Sequence, residues 1–323
     1  MTKSELQKAA RAFREGDSFL VLSHINPDGD ALGCMCAFGL AAQSLGKTAV
    51  LVSPDGVPDT YRFLHGIENV LPKVPEGARF DVAVILDCDG PGRLGDGSDS
   101  LSRCGRTLEI DHHPGDDRVS DIRLIDSSAA SSAEILYELL VEAEVTITPE
   151  IAECLLTAIV TDTGCFRFTN VQPSTLKTAG ELVDRGASIN RIVHRVYETR
   201  SLASAKILGA ALASLKTTAG GQIAYARVTR EQMHEAQADE GETEGIANYV
   251  RSIRGARIGI LFREAPDGTV RVSLRSGDHL DMSQVARLFG GGGHRAAAGC
   301  VLSCPLDEAI ELVLGAAQKW IKS

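Results

Sequence analysis

No Cys-x-x-Cys pair occurs among the eight cysteines of this chain; the close pairs are Cys34/Cys36 and Cys300/Cys304. A zinc ribbon or a thioredoxin-type redox centre is therefore unsupported, and buried free thiols in a reducing compartment are expected. A membrane-length apolar run is also missing. The longest conspicuous uncharged stretch, 31–46, contains Gln43 and Ser44 and falls short of the roughly 18 apolar residues that a span requires. It reads as a core helix. Residues 1–15 alternate Lys, Arg and Glu with Leu, Ala and Phe, with no apolar segment followed by a cleavage site, so a cytoplasmic protein off the membrane is expected. Positive charge is in deficit: 33 Lys and Arg stand against 43 Asp and Glu, a net of −10. That balance argues against a surface that grips long nucleic acid by neutralising its phosphates. A short anion captured locally is compatible with it.

What is present suffices for two domains, since the chain has 323 residues of which 44% are hydrophobic. Short apolar runs at 19–23, 48–52, 82–86 and 107–110 alternate with helical patterns, the first at 31–45. This is the signature of strand, crossover helix and parallel strand, and it predicts an α/β fold with a Rossmann-like parallel sheet. Ser131-x-x-Glu134 is a capping box ahead of a helix at 135–141, and a second helix is expected over 149–161. The Arg-rich stretch 191–204 suits a helical linker, which divides the chain into a domain at 1–190 and a smaller α/β domain at 205–323. In the latter a helix (205–215) leads to strands at 222–228, 257–263 and 270–274. Pro266-Asp267-Gly268 makes the last two a hairpin, and 283–289 and 306–320 read as helices.

The chemistry lies at the ends of these elements. The first run ends in His24-Ile25-Asn26-Pro27-Asp28-Gly29-Asp30, the third stops at Asp87, the fourth at Asp111-His112-His113, and the helix at 149–161 stops at Asp162. In open α/β sheets ligands bind beyond the carboxyl ends of the strands, so separate segments aim acidic and imidazole groups at one crevice. Converging carboxylates repel one another unless cations lie between them. Oxygen ligands with some imidazole and no thiolate favour manganese or magnesium over structural zinc; affinity alone does not separate these from zinc or cobalt. Any one aspartate at such a position is ordinarily a turn or cap residue, and the set carries the argument. Asp111 is expected to orient an imidazole rather than to ligate. Asp89, Asp116, Asp117 and Asp121 read as solvated loop residues. In the second domain Gly290, Gly291, Gly292 and Gly293 let backbone approach a ligand and offer N–H groups to an anion. His294 and Arg295 follow directly, and Arg275 ends a strand, which together suggest phosphate binding. No Gly-Lys-Ser/Thr follows the glycines, so they are not a P-loop.

In order and spacing, His24-x-x-x-Asp28-Gly-Asp30, Asp87, Asp111-His112-His113 and Asp162 resemble the metal motifs of the DHH phosphoesterases, the superfamily of RecJ-like nucleases and family II pyrophosphatases. Val272-Ser-Leu-Arg275-Ser and Gly290-Gly-Gly-Gly-His294 look like the DHH-associated C-terminal domain of the bacterial nanoRNase and pAp-phosphatase branch. The pyrophosphatase Ser-Arg-Lys motif is absent. The resemblance implies two manganese ions, replaceable by magnesium or cobalt, in a cleft between the domains. One would be held by His24, Asp28 and Asp87, the other by Asp30, Asp87, His112 and Asp162, with a bridging water as nucleophile. His113 would reach the scissile phosphate, and Arg275, the glycine run and His294 would hold the far phosphate or nucleoside. The implied substrates are short 5′-phosphorylated RNA and pAp, and the implied assembly is a homodimer. A phosphodiesterase of dinucleotide messengers and a nucleotide-binding regulator are the competing readings.

Overall fold

The computed structural model describes residues 1–321 except Asp116, Asp117, Val119, Asp278, His279 and His294, with backbone alone at Pro91 and Asp96. The expectations for Asp116, Asp117 and His294 thus fall outside the described residues. The chain forms two compact units, Met1–Thr199 and Arg200–Ser323.

The first unit runs α1 (Lys3–Glu15), β1 (Ser18–Leu22), α2 (Gly29–Ser44), β2 (Thr48–Val52), β3 (Val70–Leu71), β4 (Phe80–Leu86), β5 (Cys104–Asp111), β6 (Ile122–Ile125), α3 (Ser132–Glu142), α4 (Pro149–Asp162), α5 (Pro173–Asp184) and α6 (Ile189–Val193). Its six strands pair in the order β3-β2-β1-β4-β5-β6, all parallel. This is the doubly wound arrangement, in which chain direction across the sheet reverses between β1 and β4 and leaves a crevice at their carboxyl ends. The central strands β1 and β4 are apolar and buried over most of their length, as expected of a sheet covered on both faces. Phe13, Phe19 and Phe38 lock α1, β1 and α2 together, with ring centroids 5.1–5.5 Å apart.

Helix α2 is the uncharged stretch expected as a core helix, and it is buried along most of its length. It lies unusually close to α4. A Cβ on Gly29 would meet Thr161 Oγ1 at 2.4 Å, and one on Gly33 would meet the Cys154 carbonyl oxygen at 2.6 Å. Both glycines are thus required by the close approach of the two helices, against the Thr161 side chain at Gly29 and against backbone at Gly33. A Gly33→Ala protein should lose about 1–3 kcal/mol of stability through overpacking. It should also respond less to divalent cations, because α2 carries Asp30 and α4 carries Asp162; thermal melts with and without manganese check both effects.

Two expectations need correcting. Ser131 caps α3 by accepting from the Ala133 N–H, but the Glu134 carboxylate takes the Ala130 N–H at 2.9 Å and the Thr175 hydroxyl at 2.9 Å, so the capping box is not reciprocal. The expected linker at 191–204 begins inside the first unit: Arg191 pairs with the buried Glu153 of α4, and Ile192 is fully buried. One π-helical turn, His194–Glu198, follows before the second unit begins.

The second unit comprises α7 (Leu202–Ala213), β7 (Lys216–Thr218), β8 (Ile223–Val228), α8 (Arg230–Ala236), α9 (Ile246–Arg251), β9 (Ile258–Glu264), β10 (Val270–Ser276), α10 (Met282–Arg287), β11 (Gly292–Gly293), β12 (Ala297–Leu302) and α11 (Leu306–Ile321). Its sheet runs β11-β12-β10-β9-β8-β7, mixed in direction, with β8 and β9 parallel and β9 and β10 the expected hairpin. Among the described residues no helix is long and apolar enough to cross a membrane.

Candidate metal centre

His24 follows β1 and Asp87 follows β4, the two strands at the point of reversal. Asp87 holds φ +53°, a left-handed conformation that only a few residue types tolerate, and its N–H still donates to the Ile110 carbonyl at 3.0 Å. Strand pairing thus continues one residue past β4, and the turn aims the carboxylate out of the sheet edge. The His24 Nδ1–H donates to the Ile25 carbonyl at 2.8 Å. Its Nε2 is left facing Asp28 Oδ1 at 3.9 Å and Asp87 Oδ2 at 3.6 Å. His112 is arranged alike, with Nδ1 3.4 Å from the Ala129 carbonyl. Its Nε2 faces Asp87 Oδ1 at 3.5 Å, Asp162 Oδ2 at 3.6 Å and Asp30 Oδ2 at 3.9 Å. A backbone carbonyl that takes one ring N–H and leaves the other nitrogen to the site is the usual support of a metal-bound imidazole.

These donor separations are too long for good hydrogen bonds. Donors about 2.0–2.2 Å from a small divalent cation stand roughly 3–3.5 Å from one another, close to what is found. His24, Asp28 and Asp87 form one such group, and Asp30, His112 and Asp162 another. A third, Asp87, His112 and His113, overlaps both. The residues therefore fit two cations that share Asp87.

Charge points the same way. Burial, then the neighbouring Asp87 carboxylate, push both Asp30 and Asp162 well above the usual carboxylate range. Burial opposes a charged His24, yet hydrogen bonds and charge from Asp28 and Asp87 outweigh it and raise the imidazole to about 10. His113 is likewise opposed by burial and raised by Asp111 and Asp87, to about 9. A histidine raised from about 6.5 contributes stability fully present below that pH and lost as pH climbs through its folded value. An aspartate held protonated destabilises the fold as pH rises above its unfolded value. Both signs agree, so without cations the protein should lose stability as pH rises from about 4, with the histidines adding their loss from about pH 6.5 to 10, and the manganese-induced rise in Tm should be larger at pH 8.5 than at pH 6. Calorimetry at the two pH values, with a chelator control, tests this; a rise independent of pH would contradict it.

Other groups hold these side chains in place, and several went unseen in the sequence. Ser131 Oγ donates to Asp30 Oδ1 at 2.8 Å, and the Ser132 N–H donates to Asp30 Oδ2 at 2.8 Å, so the N-terminus of α3 anchors that carboxylate. Ser132 Oγ donates to Asp87 Oδ1 at 3.0 Å. Asn170 Nδ2 bridges the Ala130 and Asp162 carbonyls, at 3.0 and 3.1 Å, and ties the end of α4 to the start of α3. Asp28 is both things considered for it: it caps α2 by accepting from the Asp30 and Ala31 N–H groups, and it faces His24.

The DHH family N-terminal domain matches residues 18–159, and the DHHA1 domain matches residues 220–323. The chain is 32% identical over 303 residues to the bifunctional oligoribonuclease and PAP phosphatase NrnA of Thermus thermophilus, covering 93% of this chain and 89% of that protein. The chain belongs to the DHH phosphoesterase family. A second relative, NrnA of Bacillus subtilis, is 27% identical over 286 residues and 88% of both chains. The crystal structure of an exopolyphosphatase-related protein from Bacteroides fragilis superposes with a TM-score of 0.92 at 25% identity, covering 99% of this chain and 98% of that one. As a DHH phosphoesterase the protein is a hydrolase of phosphoester bonds, from a metal-dependent family.

The DHH unit thus brings His24, Asp28, Asp30, Asp87, His112, His113 and Asp162 together, with Asp111 beneath His113: Asp111 Oδ1 accepts from His113 Nδ1 at 2.7 Å. In the DHHA1 unit Arg275 sits on β10, half-buried, and burial holds its guanidinium below its ordinary pKa. The charge of Glu244 acts on it in the opposite sense. Part of the glycine run serves the fold itself. The Gly290 and Gly291 N–H groups close the end of α10 on the Arg287 and Ala286 carbonyls at 3.2 and 3.0 Å. Gly292 and Gly293 pair with β12, where a Cβ on Gly291 would strike the Gly299 carbonyl oxygen at 2.1 Å. At least two of the four amides are therefore spent within the fold; close backbone approach accounts for Gly291 and Gly293, and a φ of +72° for Gly290.

Proposed function

We propose that this DHH phosphoesterase hydrolyses short 5′-phosphorylated oligoribonucleotides to mononucleotides, and pAp to AMP, with two manganese ions, in the cytoplasm. The observation that carries the two-ion reading is the division of Asp87: Oδ2 faces His24 and Oδ1 faces His112, so one carboxylate serves both ligand groups. The substrate reading rests on the relatives, named as oligoribonucleases and PAP phosphatases over most of their length, and on the net charge of −10, which disfavours long nucleic acid.

His24, Asp28 and Asp87 are assigned the first ion, and Asp30, Asp87, His112 and Asp162 the second. A pair of divalent cations, when bound, lowers the pKa of the attacking water and offsets charge that builds on the phosphate. The chain supplies the rest. Asp87, set in its left-handed turn, keeps the two ligand groups a fixed distance apart. Asp111 holds the His113 Nδ1–H, so His113 presents its other ring nitrogen to a phosphate oxygen or leaving group. Arg275, a half-buried cation on β10, is assigned the substrate's terminal phosphate together with the glycine run and His294.

Incubation with manganese and pAp, a 5′-phosphorylated diribonucleotide, a 24-mer RNA and cyclic di-AMP tests the reading by chromatography of products. Fast release of mononucleotides from the dinucleotide and of AMP from pAp, abolished by chelator and with the 24-mer nearly untouched, is expected. Turnover of cyclic di-AMP alone would reassign the substrate to a dinucleotide messenger.

A further inference from the structure

The loop between β5 and β6 carries a buried cation that the mechanism above does not use. Arg118 has a side chain only 3% exposed, between the equally buried carboxylates of Glu109 and Asp111. Its Nη1 donates to Glu109 Oε1 at 2.6 Å and to Asp111 Oδ2 at 2.5 Å, and its Nη2 donates to the His113 carbonyl at 2.6 Å. Longer contacts reach the Cys88 carbonyl, next to Asp87, at 3.4 Å and the Gly115 carbonyl at 3.3 Å. One guanidinium thus touches the turns after both β4 and β5.

The division of labour on Asp111 gives this cluster its meaning. Oδ2 is taken by Arg118, while Oδ1 accepts both the His113 ring Nδ1–H at 2.7 Å and the His113 backbone N–H at 3.1 Å. A carboxylate pinned at one oxygen cannot rotate, so the direction of the other is set. His113 is then gripped three times: its ring and N–H by Asp111, and its carbonyl by Arg118. The ring Nδ1 ends 3.6 Å from Asp87 Oδ1.

We propose that Arg118 is a positioning residue for phosphoester cleavage, whose guanidinium fork fixes the Asp111 carboxylate and the His113 backbone and so holds the His113 imidazole in one orientation beside Asp87. The planar fork is essential to this task. A lysine would supply the same charge between Glu109 and Asp111, but from one nitrogen it cannot reach two carboxylates and the His113 carbonyl in the separate directions found here. Misplacing a reacting group by a fraction of an ångström lowers turnover steeply, by up to about 10²-fold per ångström, without weakening substrate binding in proportion. The inference rests on the role assigned to His113 above.

Arg118→Lys tests geometry while leaving the buried carboxylates a counter-cation, so the fold is not asked to bury unpaired charge. The substrate is bis(p-nitrophenyl) phosphate at saturating manganese, which reports cleavage whatever the natural substrate is. Arg118→Lys is expected to lower kcat at least fivefold, with KM changed less than threefold. Glu109→Gln, which alters the partner that does not touch His113, is expected to keep kcat within threefold. In a His113→Ala background Arg118→Lys is expected to cost less than threefold, because the group it positions is gone. Where Arg118→Lys alone does not fold, Glu109→Gln/Arg118→Lys has one carboxylate fewer to satisfy and is compared with Glu109→Gln. A loss under fivefold, an equal loss with and without His113, or a Glu109→Gln protein as impaired as Arg118→Lys overturns the proposal while the His113 assignment stands. A His113→Ala protein as active as the parent overturns both.

Discussion

An Asp87→Ala protein is expected to retain no more than a few per cent of the parent's phosphoester hydrolysis even at saturating manganese, and to lose most of the manganese-induced rise in Tm. The reason is geometric: Oδ1 and Oδ2 of this one side chain face His112 and His24 at 3.5 and 3.6 Å, so removing it strips a ligand from both cation groups at once. Because Asp87 sits at φ +53°, alanine also strains the turn, whereas asparagine tolerates that conformation. Asp87→Asn therefore separates the two effects. It should fold with near-parental stability in the presence of chelator and still be inactive. Activity above a few per cent in either protein would remove the shared-ligand assignment.

The second large effect concerns substrate binding. Arg275→Ala is expected to raise KM for a 5′-phosphorylated diribonucleotide by roughly tenfold to a hundredfold, the cost of losing a charged hydrogen-bond partner of a phosphate. The change in kcat should be small if, as proposed, Arg275 holds the terminal phosphate and not the reacting bond, a contact made equally in ground and transition states. The same dinucleotide without its 5′-phosphate should be bound almost equally by parent and variant, so preference for short phosphorylated substrates should fade. A fall in kcat with KM and length preference unchanged would take Arg275 out of substrate binding.

Much of the first unit was legible because parallel strands buried on both faces are continuous apolar runs, and because such runs end where polar residues begin. β2 coincides with the expected 48–52, and β1, β4 and β5 differ from expectation only at their ends. The candidate ligand residues stood out for the same reason, as Asp and His at the first positions outside apolar runs. Elements with weaker patterns were missed: β6 is four residues long with Arg123 in the middle, and β12 begins Ala-Ala-Gly, a composition with little strand preference. Arg118 follows Gly-Asp-Asp, which reads as a solvated loop, and only the pairing of β5 with its neighbours turns Glu109 and Asp111 into buried partners for it. Ser131 and Ser132 read as a helix start, which they are. Their second task, holding Asp30 and Asp87, spans 101 and 45 residues of chain and leaves no periodic trace.

By itself the sequence determined the α/β class and the attachment of Asp and His side chains to the ends of strands and helices, since each depends on residues adjacent in the chain. Only the tertiary structure decided which ends meet. The order β3-β2-β1-β4-β5-β6 sets β1 beside β4 and so brings His24 to Asp87, while Gly29 and Gly33 let α4 close on α2 and carry Asp162 toward Asp30 and His112. The same folding reassigned half the glycine run to a helix end and turned a loop arginine into a buried clamp. Such outcomes follow from packing and hydrogen-bond satisfaction among residues far apart in sequence, where local propensity carries no information.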